Sequence, residues 1–189
     1  MRELVYYVAV SLDGRIASPS HGFESFLAEG DHAAALTPEW GDTIPEPIHQ
    51  ALGLDVRRGS LSTVLMGWNT YAVGLPDMPS PYSHLEQIVF SRTRTAPVGA
   101  KGVRITDDDP REVVTALKRQ SGGDIWLCGG GVLAAQLMDL IDRLVLKVNP
   151  FVFGDGIPLF AGQYVPTRFA LERSRPFETG VVVNEYRRR

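Results

Sequence analysis

The sequence predicts one α/β domain over residues 1–189, a three-layer sandwich on a mixed, mostly parallel central sheet that ends in an antiparallel hairpin. Three observations carry this. Apolar runs of strand length alternate with segments of helical spacing through most of the chain, as parallel sheets with crossover helices require. The first of these runs is apolar on both faces, as in a strand covered by helices on each side. Near the end, two strand-like runs follow each other with no helix between them.

"ELVYYVAVSL" (3–12) is β-branched and aromatic and stops at the turn signal Asp13-Gly14. Residues 18 to 47, rich in Ser, Gly, Pro and His, read as one long irregular stretch, which in a compact domain marks a functional or mobile loop. "PEPIHQALGLDVRR" (45–58) puts Ile48, Leu52 and Val56 at helical spacing, with Pro at its start and Gly59 past its end. "STVLMG" (62–67) and "EQIVFS" (86–91) are the next buried strands. "PREVVTALKRQSGG" (110–123) is the clearest helix, with Pro110 in its first turn and Gly122-Gly123 as its stop. "DIWLC" (124–128) is a strand, Val132 to Leu140 a helix, and "RLVLKVNPFVF" (143–153) a strand that Pro150 interrupts. Residues 167–177 and 181–187 form the terminal pair, joined near Thr179-Gly180.

Bulk properties narrow the function. A net charge of −3 gives no general attraction to nucleic acid or anionic lipid. The lone Cys128 excludes an intrachain disulfide and fits a reducing, cytoplasmic setting. No apolar run approaches the roughly 20 residues of a membrane helix, and the amino-terminal run reads as no signal peptide. The four histidines show no metal-ligand spacing. No serine or cysteine has a recognisable neighbouring base, so nucleophilic catalysis has no support.

Chemistry gathers at the strand ends. "CGGGVLAAQLM" (128–138) runs from a strand through Gly129, Gly130 and Gly131 into a helix that Val132 and Leu133 begin. Missing Cβ atoms let an anion reach free backbone N–H groups at such a turn. It lacks both the Walker and the Gly-x-Gly-x-x-Gly spacings, and a tight turn that binds nothing is the alternative. "MGWNTY" (66–71) and "FSRTR" (90–94) follow two further strands, where α/β sheets gather ligands. Ser91, Arg92 and Arg94 there offer a hydroxyl and two guanidinium groups suited to a phosphate monoester.

"VAVSLDGRIA" (8–17), "LMGWNTY" (65–71), "IVFSRT" (88–93), "CGGGVLAAQLM" and "LVLKVNPFVFGDGIPLF" (144–160) stand in an order that resembles the dihydrofolate reductase-like superfamily. The likeness is nearest to the branch containing the reductase domain of riboflavin biosynthesis, and it covers about four fifths of the chain. The resemblance implies NADP(H) as cofactor, with its pyrophosphate over Gly129 and Gly130, joined by a cis peptide, and over the amides of Gly131, Val132 and Leu133. It implies further phosphate contacts at Gly67 and Thr70, a reader of the 2′-phosphate at Ser91 and Arg92, and a nicotinamide carboxamide held by Ala9 and Ile16. It also implies a small heterocyclic substrate, a pteridine or a ribosylaminopyrimidine, and pairing of two copies as a homodimer.

The sequence departs from both templates where they grip substrate. Dihydrofolate reductases use an acid on the first helix, which here falls near Ala51, with Asp42 and Glu46 upstream as substitutes. The riboflavin-pathway reductases use a glutamate before the glycine turn, where Cys128 stands. Asp13 remains as a catalytic carboxylate beside the expected nicotinamide site, or as a turn former before Gly14. Ser25, in "FESF", and Trp40, as a stacking surface, are the other expected substrate contacts. Two readings follow: an NADPH-dependent reductase of a nitrogen heterocycle, or an NADP-binding sensor or scaffold without turnover. An α/β domain with no nucleotide site is the third and plainest.

Overall fold

A computed structural model describes residues 1–54 and 58–189. The central sheet has eight strands: β1 (Leu4–Val10), β3 (Leu61–Gly67), β4 (Glu86–Phe90), β5 (Val103–Thr106), β6 (Asp124–Gly129), β7 (Arg143–Val148), β9 (Phe169–Pro176) and β10 (Val182–Arg188). They run in the order β5-β4-β3-β6-β1-β7-β10-β9. Pairing is parallel from β5 through β7, while β10 joins β7 and β9 antiparallel. The antiparallel pair lies at one edge, with Thr179 and Gly180 in its turn. β2 (Arg15–Ala17) and β8 (Ile157–Pro158) form a separate two-stranded ribbon.

Alternation of side chains along the strands supplies a core on each face. Val5, Tyr7, Val64, Met66, Trp126 and Val145 pack on one side with Leu36 and Trp40 from α1 (Asp31–Glu39) and its end, and with Tyr71 of α3 (Trp68–Ala72). Leu4, Tyr6, Leu65, Ile125 and Leu127 pack on the other with α4 (Pro110–Lys118) and α5 (Gly131–Gln136). The Asp109 carboxylate caps α4 by accepting from the Arg111 amide at 2.7 Å.

Several elements differ from the sequence reading; α5 ends at Gln136 and β7 at Val148, short of the expected bounds, and α3, β2 and β8 are additional. The long stretch 18–47 contains α1, a helix of nine residues that carries Pro38 in its interior and buries only His32 and Leu36. α2 (Glu46–Leu52) stops at Gly53, whose φ of 57° ends the helix six residues before Gly59. Ile48 and Leu52 of α2 are exposed, and Val56 lies outside the described residues. β5, short and half-exposed, adds an edge strand that the apolar-run pattern does not reveal.

Candidate active site

β6 lies between β3 and β1, so the sheet order reverses there and the carboxyl ends of these strands leave a crevice. Its floor carries no side chains. A Cβ placed on Gly67 would lie 3.8 Å from the Gly130 amide nitrogen and 3.9 Å from the Gly129 carbonyl oxygen. Cβ atoms on Gly129 and Gly130 would both approach Thr70 Oγ1, at 3.4 and 3.5 Å. The fold thus brings Gly67, Thr70, Gly129 and Gly130 to one place. Gly129 has φ 149°, a conformation that requires glycine. The peptide between Gly129 and Gly130 is cis.

The crevice continues onto α5. Its hydrogen-bond ladder begins with the Ala134 amide donating to Gly130 O at 2.9 Å, which leaves the first-turn amides of Gly131, Val132 and Leu133 without helical acceptors. Gly131 itself is a packing residue: a Cβ there would meet Pro158 O at 2.1 Å. Leu133 points into the core and Val132 is exposed, so both can serve a ligand only through the backbone. A trough of glycines, a hydroxyl and free amides fits a diphosphate. One strand further out, Ser91 Oγ accepts from the Arg94 amide at 3.1 Å and orders the turn after β4. Arg92 is exposed there, and the Arg94 guanidinium lies 5.4 Å from the centre of the Trp68 ring.

The front wall joins two motifs distant in sequence. Asp13 Oδ1 accepts from Ser11 Oγ at 2.6 Å and from the Phe153 amide at 3.0 Å, while Oδ2 accepts from the Gly154 amide at 2.9 Å. The Ser11 hydroxyl and these amides lower its pKa to about 2. An ionised carboxylate with its oxygens so engaged has no proton to deliver near neutrality. Of the two roles expected for Asp13, catalytic carboxylate or turn former, these contacts match the second, since they tie "SLDG" to "FVFG". Ile16 lies in the β2–β8 ribbon of the same wall.

On the α1 face, beside Ala9, opens a cavity of about 220 Å³ lined by Tyr7, His32, Trp40, Lys147 and Asn149 among others. Trp40 lines it, yet one of its faces is already stacked on Tyr7, with ring centres 4.5 Å apart. Neither substitute acid reaches it. Asp42 is buried and accepts from the Gly59 and Leu61 amides at 3.0 and 2.8 Å, fixing the start of β3. Glu46 pairs with Arg58 at 2.6 Å and His84 at 3.5 Å. Ala51 is exposed on α2, and Ser25 is exposed on the loop rather than lining the cavity. Cys128 sits beside Tyr82, and burial pushes its thiol up to about 12, so it stays neutral.

The residue that sequence reasoning missed is Lys147. Its ammonium lies 4.6 Å from the centre of the Tyr7 ring, and burial lowers its pKa to about 8. The available signal was a lysine inside "RLVLKV", an apolar strand of the central sheet where a charged residue is out of place. Asn149 was also missed; its side chain accepts from the Leu27 amide and donates to Lys147 O, both at 3.0 Å.

Residues 2–183 match the family described as the RibD C-terminal domain. The chain is 28% identical over 192 residues to the uncharacterized Bacillus subtilis protein YwjB, covering 98% of both. A second B. subtilis protein, YyaP, also uncharacterized, is 34% identical over about half of each chain. Among solved structures, a protein provisionally assigned to riboflavin biosynthesis from Shewanella sp. PV-4 superposes with a TM-score of 0.70 at 25% identity, covering 100% of this chain and 99% of that one. The Thermotoga maritima deaminase and 5-amino-6-(5-phosphoribosylamino)uracil reductase gives 0.66 at 17% identity, with this chain spanning 57% of its length; that likeness concerns the fold. The match across nearly every residue and the shared reductase-type fold place the chain in the RibD C-terminal domain family, within the dihydrofolate reductase-like superfamily.

Proposed function

We propose that the protein is an NADPH-dependent reductase of a flat nitrogen heterocycle, in the manner of the riboflavin-pathway reductases. The observation that carries this reading is the meeting of Gly67, Gly129 and Gly130 with Thr70 in a place free of larger side chains, in a fold that also opens a cavity beside Ala9. The bound dinucleotide supplies a hydride. The chain's own part is to hold the diphosphate on the trough and the first-turn amides of α5, and to use Arg92 against a 2′-phosphate. Main-chain groups at Ala9 and Ile16 orient the carboxamide, while Trp40 and Tyr7 exclude water from the acceptor's side. A homodimer belongs to the same proposal.

One observation favours the second reading, an NADP-binding sensor or scaffold: Asp13, Asp42 and Glu46 are all engaged in holding the fold. NADPH oxidation followed by absorbance, with dihydrofolate, the riboflavin-pathway aminouracil and other heterocycles, separates the two. Turnover supports the reductase. Tight NADPH binding with no oxidation by any heterocycle supports the sensor.

A further inference from the structure

The polar inventory of the cavity beside Ala9 is one-sided. Among the described residues no carboxylate lines it, and no carboxylate pairs with Lys147, whose titratable neighbour Cys128 is neutral. Trp40 carries a buried indole N–H with no hydrogen-bond partner. The Asn149 carbonyl is taken by the Leu27 amide, and the Thr43 hydroxyl donates to Trp40 O at 2.8 Å. The unmet demand is therefore for an acceptor. The Lys147 ammonium, half-buried at this cavity and without a carboxylate partner, is a ready donor to a bound oxygen, and a charged hydrogen bond of that kind is among the stronger ones.

We propose that this cavity selects a flat ring presenting a carbonyl or oxyanion oxygen to the Lys147 ammonium, and discriminates against the amino-pyrimidine edge that a carboxylate would hold. The proposal rests on the reductase reading only in taking this cavity as the acceptor's place. Its volume of about 220 Å³ suits one ring or two fused rings, below the ~300–1,000 Å³ typical of sites for larger ligands. Removing a charged hydrogen bond should then weaken a ring anion by about tenfold or more.

Selection by a lysine makes binding pH-dependent. The groups facing it are Tyr7 from β1 and Cys128 from β6, both raised by burial and neutral through the relevant range. His32 of α1 lines the same cavity, with its ring nitrogens 3.0 Å from Thr179 Oγ1 and 3.1 Å from Leu27 O. Glu39 and Arg175, beyond Tyr7, pair with each other at 2.8 Å. Lys147 thus loses its charge as pH rises, and affinity for an anion should fall above about 8.

The test is calorimetric titration of the whole protein with two rings of similar shape: barbiturate, an oxygen-rich anion, and 2,4-diaminopyrimidine, an amino-bearing donor. Barbiturate should bind the parent more tightly, weaken about tenfold or more in Lys147→Met, and weaken as pH rises past about 8. The pH profile of the parent keeps the test valid should the variant fold poorly. Equal or tighter binding of 2,4-diaminopyrimidine, no detectable binding of either ring, or barbiturate affinity independent of pH and of Lys147 would each overturn the proposal. NADPH affinity, measured separately on both proteins, should be unchanged in Lys147→Met. Failure of the parent to bind NADPH would defeat the reductase reading and leave the cavity's preference standing.

Discussion

Replacing Gly67 with valine separates the demands of the ligand from those of the fold. Gly67 has φ −75° and ψ 160°, an extended conformation open to any residue. Its built Cβ meets nothing closer than 3.8 Å. The fold therefore has room for a Cβ, and loss of glycine's freedom in the unfolded chain should stabilise the protein by about 0.4–1 kcal/mol, less the repacking that the two γ-methyls require. The new methyl groups would lie against Gly129 and Gly130, where the proposed function seats a diphosphate. Displacing one or two charge-assisted hydrogen bonds costs about 1.5–3 kcal/mol each, an affinity loss of at least tenfold. Gly131→Ala is the opposite control, because its Cβ would meet Pro158 O at 2.1 Å. That variant should lose about 1–3 kcal/mol of stability through overpacking. Urea unfolding and NADPH titration by fluorescence measure both quantities. Unchanged NADPH affinity in Gly67→Val, with the fold intact, would remove the trough from the site.

Arg92→Ala should weaken NADPH by about 1.5–3 kcal/mol and leave NADH nearly unaffected; equal weakening of both would assign the arginine to the fold or to a shared phosphate. Asp42→Ala should cost about 1–3 kcal/mol for each buried amide left unpaired, at Gly59 and Leu61, with NADPH affinity retained; a stability unchanged in urea would contradict that role. The depressed carboxyl of Asp13 contributes stability that is full above its unfolded value near 3.8 and lost as pH falls through about 2. Asp13→Asn should flatten the acid limb of the stability curve in that window, and an unaltered limb would refute it. Cys128→Glu would set a carboxylate beside Lys147 and should improve kcat/KM for the riboflavin-pathway aminouracil selectively; efficient turnover by the parent would show that the acid is not needed.

The parallel half of the sheet was legible because Val, Ile and Leu runs such as "STVLMG" must be buried on both faces. The terminal hairpin was legible from its Thr179-Gly180 turn. α1 was not, because "DHAAALTPE" has few large apolar residues to set a period and contains Pro38. The glycine trough could be suspected from strand-end chemistry, but its joining of Gly67 to Gly130 across β3 and β6 is a matter of sheet order. The acids were harder. Asp13, Asp42 and Glu46 are indistinguishable in sequence from catalytic carboxylates, and only their amide and guanidinium partners show them engaged elsewhere. Lys147 hid for the converse reason: in alternation with Leu144 and Leu146 a lysine reads as solvent-facing, whereas α1 covers that face of β7.

The most direct test of the central claim is a titration of the isotope-labelled protein with NADP⁺, followed through the backbone amide resonances of Gly67, Gly129, Gly130 and Gly131. Saturable shifts should concentrate on these four glycines and on the amides of Val132 and Leu133, with NAD⁺ producing the same pattern at lower affinity. Amides that stay unmoved at millimolar NADP⁺, or shifts confined to another face of the sheet, would contradict it.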